Sequence, residues 1–88
     1  MTGEVELFPQ ADGWHYVRIP TELTDELGEF ADRGLIAVTA RLGDSVWDTS
    51  LLPMGDGTHF IALKKSVRDR NDVALGDDVT IAFSLRSR

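Results

Sequence analysis

A chain of 88 residues with no cysteine has one hydrophobic core to rely on. It is too short for a two-domain enzyme with an interdomain cleft, and it can build neither a disulfide framework nor a thiolate metal site. Apolar residues (42%) arrive in short clusters among 27% charged ones, which excludes a disordered chain or a spanning apolar run, and fifteen acids against nine bases leave a net charge of −6 that argues against general nucleic-acid binding.

The charge is unevenly placed. Residues 1–44 hold nine acids and three bases, whereas residues 45–88 hold six of each. Glu22, Asp25, Glu26, Glu29 and Asp32 form an acidic run, and Lys64, Lys65, Arg68 and Arg70 form the dense basic cluster. Met1-Thr2-Gly3-Glu4 offers neither a basic n-region nor an apolar h-region, so a cytoplasmic protein with no membrane association is expected.

In chain order, alternation of apolar residues and turn signals predicts strands near 4–8, 14–19, 35–42, 45–52, 59–64 and 78–85. Between the second and third strands, Thr21 is suited to cap a helix whose Leu23, Leu27 and Phe30 share one face, with the acids mostly on the other. Gly43-Asp44 predicts a tight hairpin between the third and fourth strands. A second helix of about two turns is expected over 65–71, anchored by Val67.

The chain matches itself at an offset of 44. Residues 7–19 lie over 51–63 with five of thirteen positions identical, namely Leu7/Leu51, Pro9/Pro53, Asp12/Asp56, Gly13/Gly57 and His15/His59. After a slip of one residue, Ile36, Val38, Ala40 and Leu42 answer Val79, Ile81, Phe83 and Leu85. A β-β-α-β unit written twice, in which neither copy can close a core alone, predicts halves 1–44 and 45–88 interleaved about a pseudo-twofold axis as one domain. The expected fold is all-β with two short helices, a closed or partly closed barrel.

Three segments carry a family resemblance. The segments are Trp14-His15-Tyr16-Val17-Arg18-Ile19-Pro20, then 47–57 (Trp-Asp-Thr-Ser-Leu-Leu-Pro-Met-Gly-Asp-Gly), then Lys64-Lys65-Ser66-Val67-Arg68 followed by Leu75-Gly76-Asp77-Asp78-Val79. In this order they resemble the domain of unknown function 1905 family, small prokaryotic domains, over about 8–85. The chain departs from that pattern in its Gly43-Asp44 hairpin, where Asn-Gly is commoner, and in its Ser84-Leu85-Arg86 ending, where acids are commoner. The resemblance implies a double-split β-barrel similar in architecture to AbrB-type regulators, with both halves in one chain. It implies no chemistry, because the family has no assigned activity.

Candidate chemistry has to come from the residues. Lys64, Lys65 and Arg68 fall where the fifth strand runs into the second helix, a setting that can hold a phosphate or carboxylate. Thr49 and Trp47, alternating with Leu51 on one face of the fourth strand, are placed nearby. The plainer alternative is a solvated basic face balanced by Asp69 and Asp72. His15 and His59 are repeat mates without a fixed carboxylate partner, and read as hydrogen-bonded rim residues rather than ligands or bases. Ser50 lies in no Gly-x-Ser-x-Gly elbow, so hydrolase or isomerase chemistry has little to stand on, and no catalytic residue, metal or cofactor is assigned. Trp14, Tyr16 and Phe60 are either covered, the helices being the expected cover, or exposed as a patch for a partner. The expected function is a non-catalytic binding module for a small anion or an acidic segment of a protein partner, in a monomer or weak homodimer. The alternative is nucleic-acid binding through Arg68 and Arg70, by analogy with the regulators.

Overall fold

The computed structural model describes residues 1–9 and 14–86. Along them run β1 (Thr2–Leu7), β2 (His15–Arg18), α1 (Thr21–Leu27), β3 (Ile36–Leu42), β4 (Ser45–Pro53), β5 (His59–Ala62), α2 (Lys65–Arg70), β6 (Asp78–Thr80) and β7 (Ala82–Leu85). All strand pairs are antiparallel, in the order β6-β1-β2-β5-β4-β3-β7. Ile81 alone separates the two outermost strands, so the sheet returns on itself as a nearly closed barrel. The predicted sixth strand is thus one segment shared between two partners. Its Ile81 still exchanges backbone bonds with Met1 (2.8 and 2.7 Å), after which the chain crosses to β3.

Alternation decides which side chains enter the barrel. In β3, Ile36, Val38, Ala40 and Leu42 are buried, while Ala37, Thr39 and Arg41 between them are more open. Val5, Val17, Leu51, Ile61 and Ile81 are fully buried in the same cluster. Gly43-Asp44 makes the two-residue hairpin read from the sequence, closing on the pair Leu42↔Ser45 with Gly43 at φ +57°.

The doubling is visible in strand register. β2 pairs with β5 through Tyr16↔Ala62, Val17↔Ile61 and Arg18↔Phe60. Exchanging each residue for its mate 44 positions away turns the first pair into the third and leaves Val17↔Ile61 unchanged. The flanking bonds behave alike: Ile19 N–H donates to His59 O and Leu63 N–H to His15 O, both at 2.9 Å. Across the barrel, Ala40↔Phe83 in β3–β7 is unchanged under the 43-residue offset. Each helix starts the same way, with Pro20 O accepting from Leu23 and Thr24, and Lys64 O from Val67 and Arg68.

The copies diverge at their first hairpins. Phe8 N–H donates to Trp14 O across five intervening residues, whereas Met54 N–H donates to Thr58 O across three. That two-residue difference slides β1 against β4, so Pro53 ends β4 opposite His59 while Pro9 lies beyond β1. Val5, opposite Val17, therefore occupies the place of Leu51, and Leu7 is left at the rim, 42% exposed. The Asp12-Gly13 turn lies outside the described residues.

Three local expectations are corrected. Thr21 is the first residue of α1 rather than its cap; Pro20 holds the cap position and no side chain bonds there. Phe30 leaves the apolar face because the helix tightens into a 3-10 turn over Gly28–Phe30, with three residues per turn, and ends 54% exposed, while Leu23 and Leu27 stay against the core. Tyr16 and Phe60 are buried, and their cover comes from Phe8, stacked on Tyr16 with centroids 4.0 Å apart and edge-on to Phe60 at 5.1 Å. Trp14 is not part of that trio and is 54% exposed.

A candidate ligand cavity between β4 and α2

Where β5 ends at Ala62, Leu63 turns into the core and Lys64 takes an extended conformation (φ −69°, ψ 158°) that redirects the chain into α2. Leu63 and Val67 are the buried anchors of this corner, and with both turned inward Lys64, Lys65 and Arg68 are left facing away from the barrel. Arg68 folds back over the corner and donates from Nε to Leu63 O at 3.1 Å. α2 has only six residues, so the cations and not the helix terminus supply the positive potential here.

The opposite wall is β4. Trp47 packs partly against the core, Thr49 follows two residues on, and Asp48 between them accepts a bond from Thr39 Oγ1 (2.8 Å), its register partner on β3. Between β4 and the α2 corner lies a cavity of about 400 Å³, closed at one side by Trp14 and His15 at the start of β2. Lys64, Lys65, Arg68, Thr49 and Trp47 all line it. Trp14, His15, Asp48, Ala62 and Leu63 complete it. The sequence signal for Trp14 and His15 lies in the symmetric β2–β5 pairing, which continues past Tyr16↔Ala62 and brings His15 beside Leu63.

The three cations are not equivalent. Lys65 Nζ donates to Asp69 Oδ2 at 2.6 Å, one turn along α2, and this bond holds the Asp69 carboxyl below its ordinary 3.8, with the charges of Lys65 and Arg68 adding to it. Lys64 and Arg68 form no ion pair with any described residue. Arg70 lines an adjoining recess of about 230 Å³ that shares Lys64 and Trp47 with the cavity.

The histidine pair splits. His59 is buried and its Nε2 bonds to Gly34 O at 2.9 Å, whereas His15 borders the cavity; the Nδ1 of each is buried without a protein hydrogen-bond partner. Among the described residues, no three His, Asp or Glu side chains gather as metal ligands do. Nor is any described helix long and apolar enough to cross a membrane.

The doubled fold offers an internal comparison. In the first half, the positions of Lys64, Lys65 and Arg68 are held by Pro20, Thr21 and Thr24, and that of Trp14 by Thr58. The same backbone corner is therefore built twice and made cationic once.

A comparison with curated proteins gives no match. The family model described as a domain of unknown function (DUF1905) matches residues 2–83, nearly the whole chain. Together with the barrel and the ordered motifs that run through it, this match places the chain in the domain of unknown function 1905 family.

Proposed function

We propose that this domain is a non-catalytic, cytoplasmic binding module that takes a small anion into the cavity between β4 and α2. Lys64 and Arg68 are the principal contacts, Lys65 joins them by releasing its exposed bond to Asp69, and Thr49 and Trp47 form the facing wall. The observation that carries this reading is the pair of cations without carboxylate partners on a cavity of about 400 Å³, at a corner whose pseudo-equivalent has none. A cation needed only to solubilise α2 has no reason to border a recess. Nucleic acid is the weaker fit: a net charge of −6 leaves few uncompensated bases to track a phosphate backbone.

Isothermal titration against phosphates, nucleotides and acidic metabolites tests the reading. At least one of these is expected to bind, with Lys64→Ala and Arg68→Ala each weakening it about tenfold, since a hydrogen bond to a charged group contributes roughly 1.5–3 kcal/mol. No heat with any of them, or unchanged affinity in both variants, refutes it. Binding only of an acidic peptide would reassign the same cations to a protein partner.

A further inference from the structure

The cavity is more than a cluster of cations. The chain has two tryptophans, and both line it. Trp47 is held partly by the core, but Trp14 is not among the core residues and stands 54% exposed, a large apolar surface left in water. The barrel does not require an indole there, because the pseudo-equivalent position is Thr58. The lining is also divided in charge: Lys64, Lys65 and Arg68 come from the α2 corner, Asp48 and Thr49 from β4. By strand alternation the Asp48 side chain lies on the opposite face of β4 from Trp47 and Thr49, bonded to Thr39, so it acts on the cavity through its charge.

Each feature restricts the ligand. Two indoles favour a flat ring, which gains by stacking on aromatic faces whatever its edge pattern. Two unpaired cations with a third close by suit a doubly charged phosphate better than a single carboxylate. The charge of Asp48 disfavours a second anionic group. A volume of about 400 Å³ stands at the low end of small-molecule sites, roughly 300–1,000 Å³, and so suits one nucleotide rather than two.

From these features we infer that the ligand is a nucleoside monophosphate. Its phosphate lies on Lys64 and Arg68, and its base stacks at Trp14 and Trp47. This rests on the anion-binding reading above and adds the ring to it.

Adenosine and guanosine monophosphates, ribose 5-phosphate, adenosine and inorganic phosphate, titrated by calorimetry, separate the two claims. Tryptophan emission reports on this cavity, because both tryptophans line it, Trp14 without also bordering the adjoining recess. A monophosphate is expected to bind about tenfold or more tightly than ribose 5-phosphate, the gain that one stacked base contributes. Trp14→Ala should erase that preference and leave ribose 5-phosphate unaffected, while Trp14→Phe keeps most of it. Asp48→Asn should tighten inorganic phosphate. If ribose 5-phosphate binds as well as the nucleotides, the ring assignment is overturned and the anion reading stands. If adenosine matches its monophosphate, the cations are not the anchor and both claims fall, as they do if none of the five binds. Unchanged far-ultraviolet circular dichroism confirms that the variants are folded.

Discussion

Gly3 lies in β1 opposite Val79 of β6, and a methyl group added there has almost nowhere to go. A Cβ on its backbone would sit 2.7 Å from Val17 Cγ1, against roughly 3.5–4.0 Å for carbon atoms in comfortable contact. Its other neighbours, Met1 Cε at 3.6 Å and Arg18 O at 3.7 Å, are unremarkable, so the conflict is with one side chain. Val17 cannot yield easily, because it is fully buried, stiff at χ1, and paired with Ile61 where the two halves meet. Overpacking of this kind costs about 1–3 kcal/mol, and relief of glycine's excess chain entropy in a strand returns about 0.5–1. Gly3→Ala should therefore destabilise by about 1–2 kcal/mol and lower the melting temperature by about 5–10 °C. Urea and thermal unfolding measure both. Adding Val17→Ala makes the test specific, since the double variant should be more stable than the sum of the singles by about 1 kcal/mol. A Gly3→Ala protein as stable as the parent, or a strictly additive double variant, would refute this packing of β1 over the shared core.

Leu51 and Asp56 give two further outcomes. Leu7 and Leu51 are matched in sequence but not in space, so Leu51→Ala, at a fully buried site, should cost about 2–5 kcal/mol and Leu7→Ala less than about 1; equal losses in urea unfolding would restore the unslipped alignment. Asp56 Oδ1 accepts from Thr58 Oγ1 (2.5 Å) and Thr58 N–H (3.0 Å), bonds that hold its carboxyl below the ordinary 3.8, aided by the charge of Arg18. A carboxyl depressed in the folded state adds stability that is present above its unfolded value and is lost as pH falls below 3.8 through the folded one. Thr58→Val should bring the Asp56 titration, followed by carboxyl chemical shift, back towards 3.8; a parent Asp56 that already titrates there would remove the turn bonds from the account.

Much of the barrel was legible because two periodicities repeat in a chain too short to hide them. Alternation in 36–42 fixes which β3 residues enter the core, and Gly43-Asp44 can do little except turn. Gly76-Asp77 turns the chain into β6 in the same local way: Asp77 Oδ2 accepts from Ala74 N–H at 2.9 Å, with Gly76 at φ +90°. What eluded sequence reasoning were matters of exact length. A hairpin two residues longer keeps the same inward and outward pattern, so periodicity is blind to the slip between β1 and β4. A helix that tightens after Gly28 shows no change in composition, yet it turns Phe30 outward. The cavity was legible on its α2 side, where like charges cluster in sequence, and on alternate positions of β4. Its β2 wall was not, because Trp14 reaches Lys64 through strand pairing fifty residues removed.

The doubling also bears on the anion site proposed for a protein so acidic. Demands made by the barrel are met in both halves: Val17 and Ile61 pair across the axis, Ile19 and Leu63 anchor the corners, and Leu23 and Val67 hold the helices down. Lys64, Lys65, Arg68 and Trp14 recur in neither kind nor charge, so the fold alone does not account for them. The acids are one-sided in part: Glu22 and Glu26 lie on the exposed side of α1 where α2 has Ser66 and Arg70, while Asp25 recurs as Asp69. Across a molecule of 33 × 28 × 21 Å, with a Debye length of about 8 Å at physiological salt, an approaching anion responds to the charges nearest it and not to the total of −6. The acids of α1 then disfavour anions at the corner that lacks cations, and the field leads them to the corner that has them.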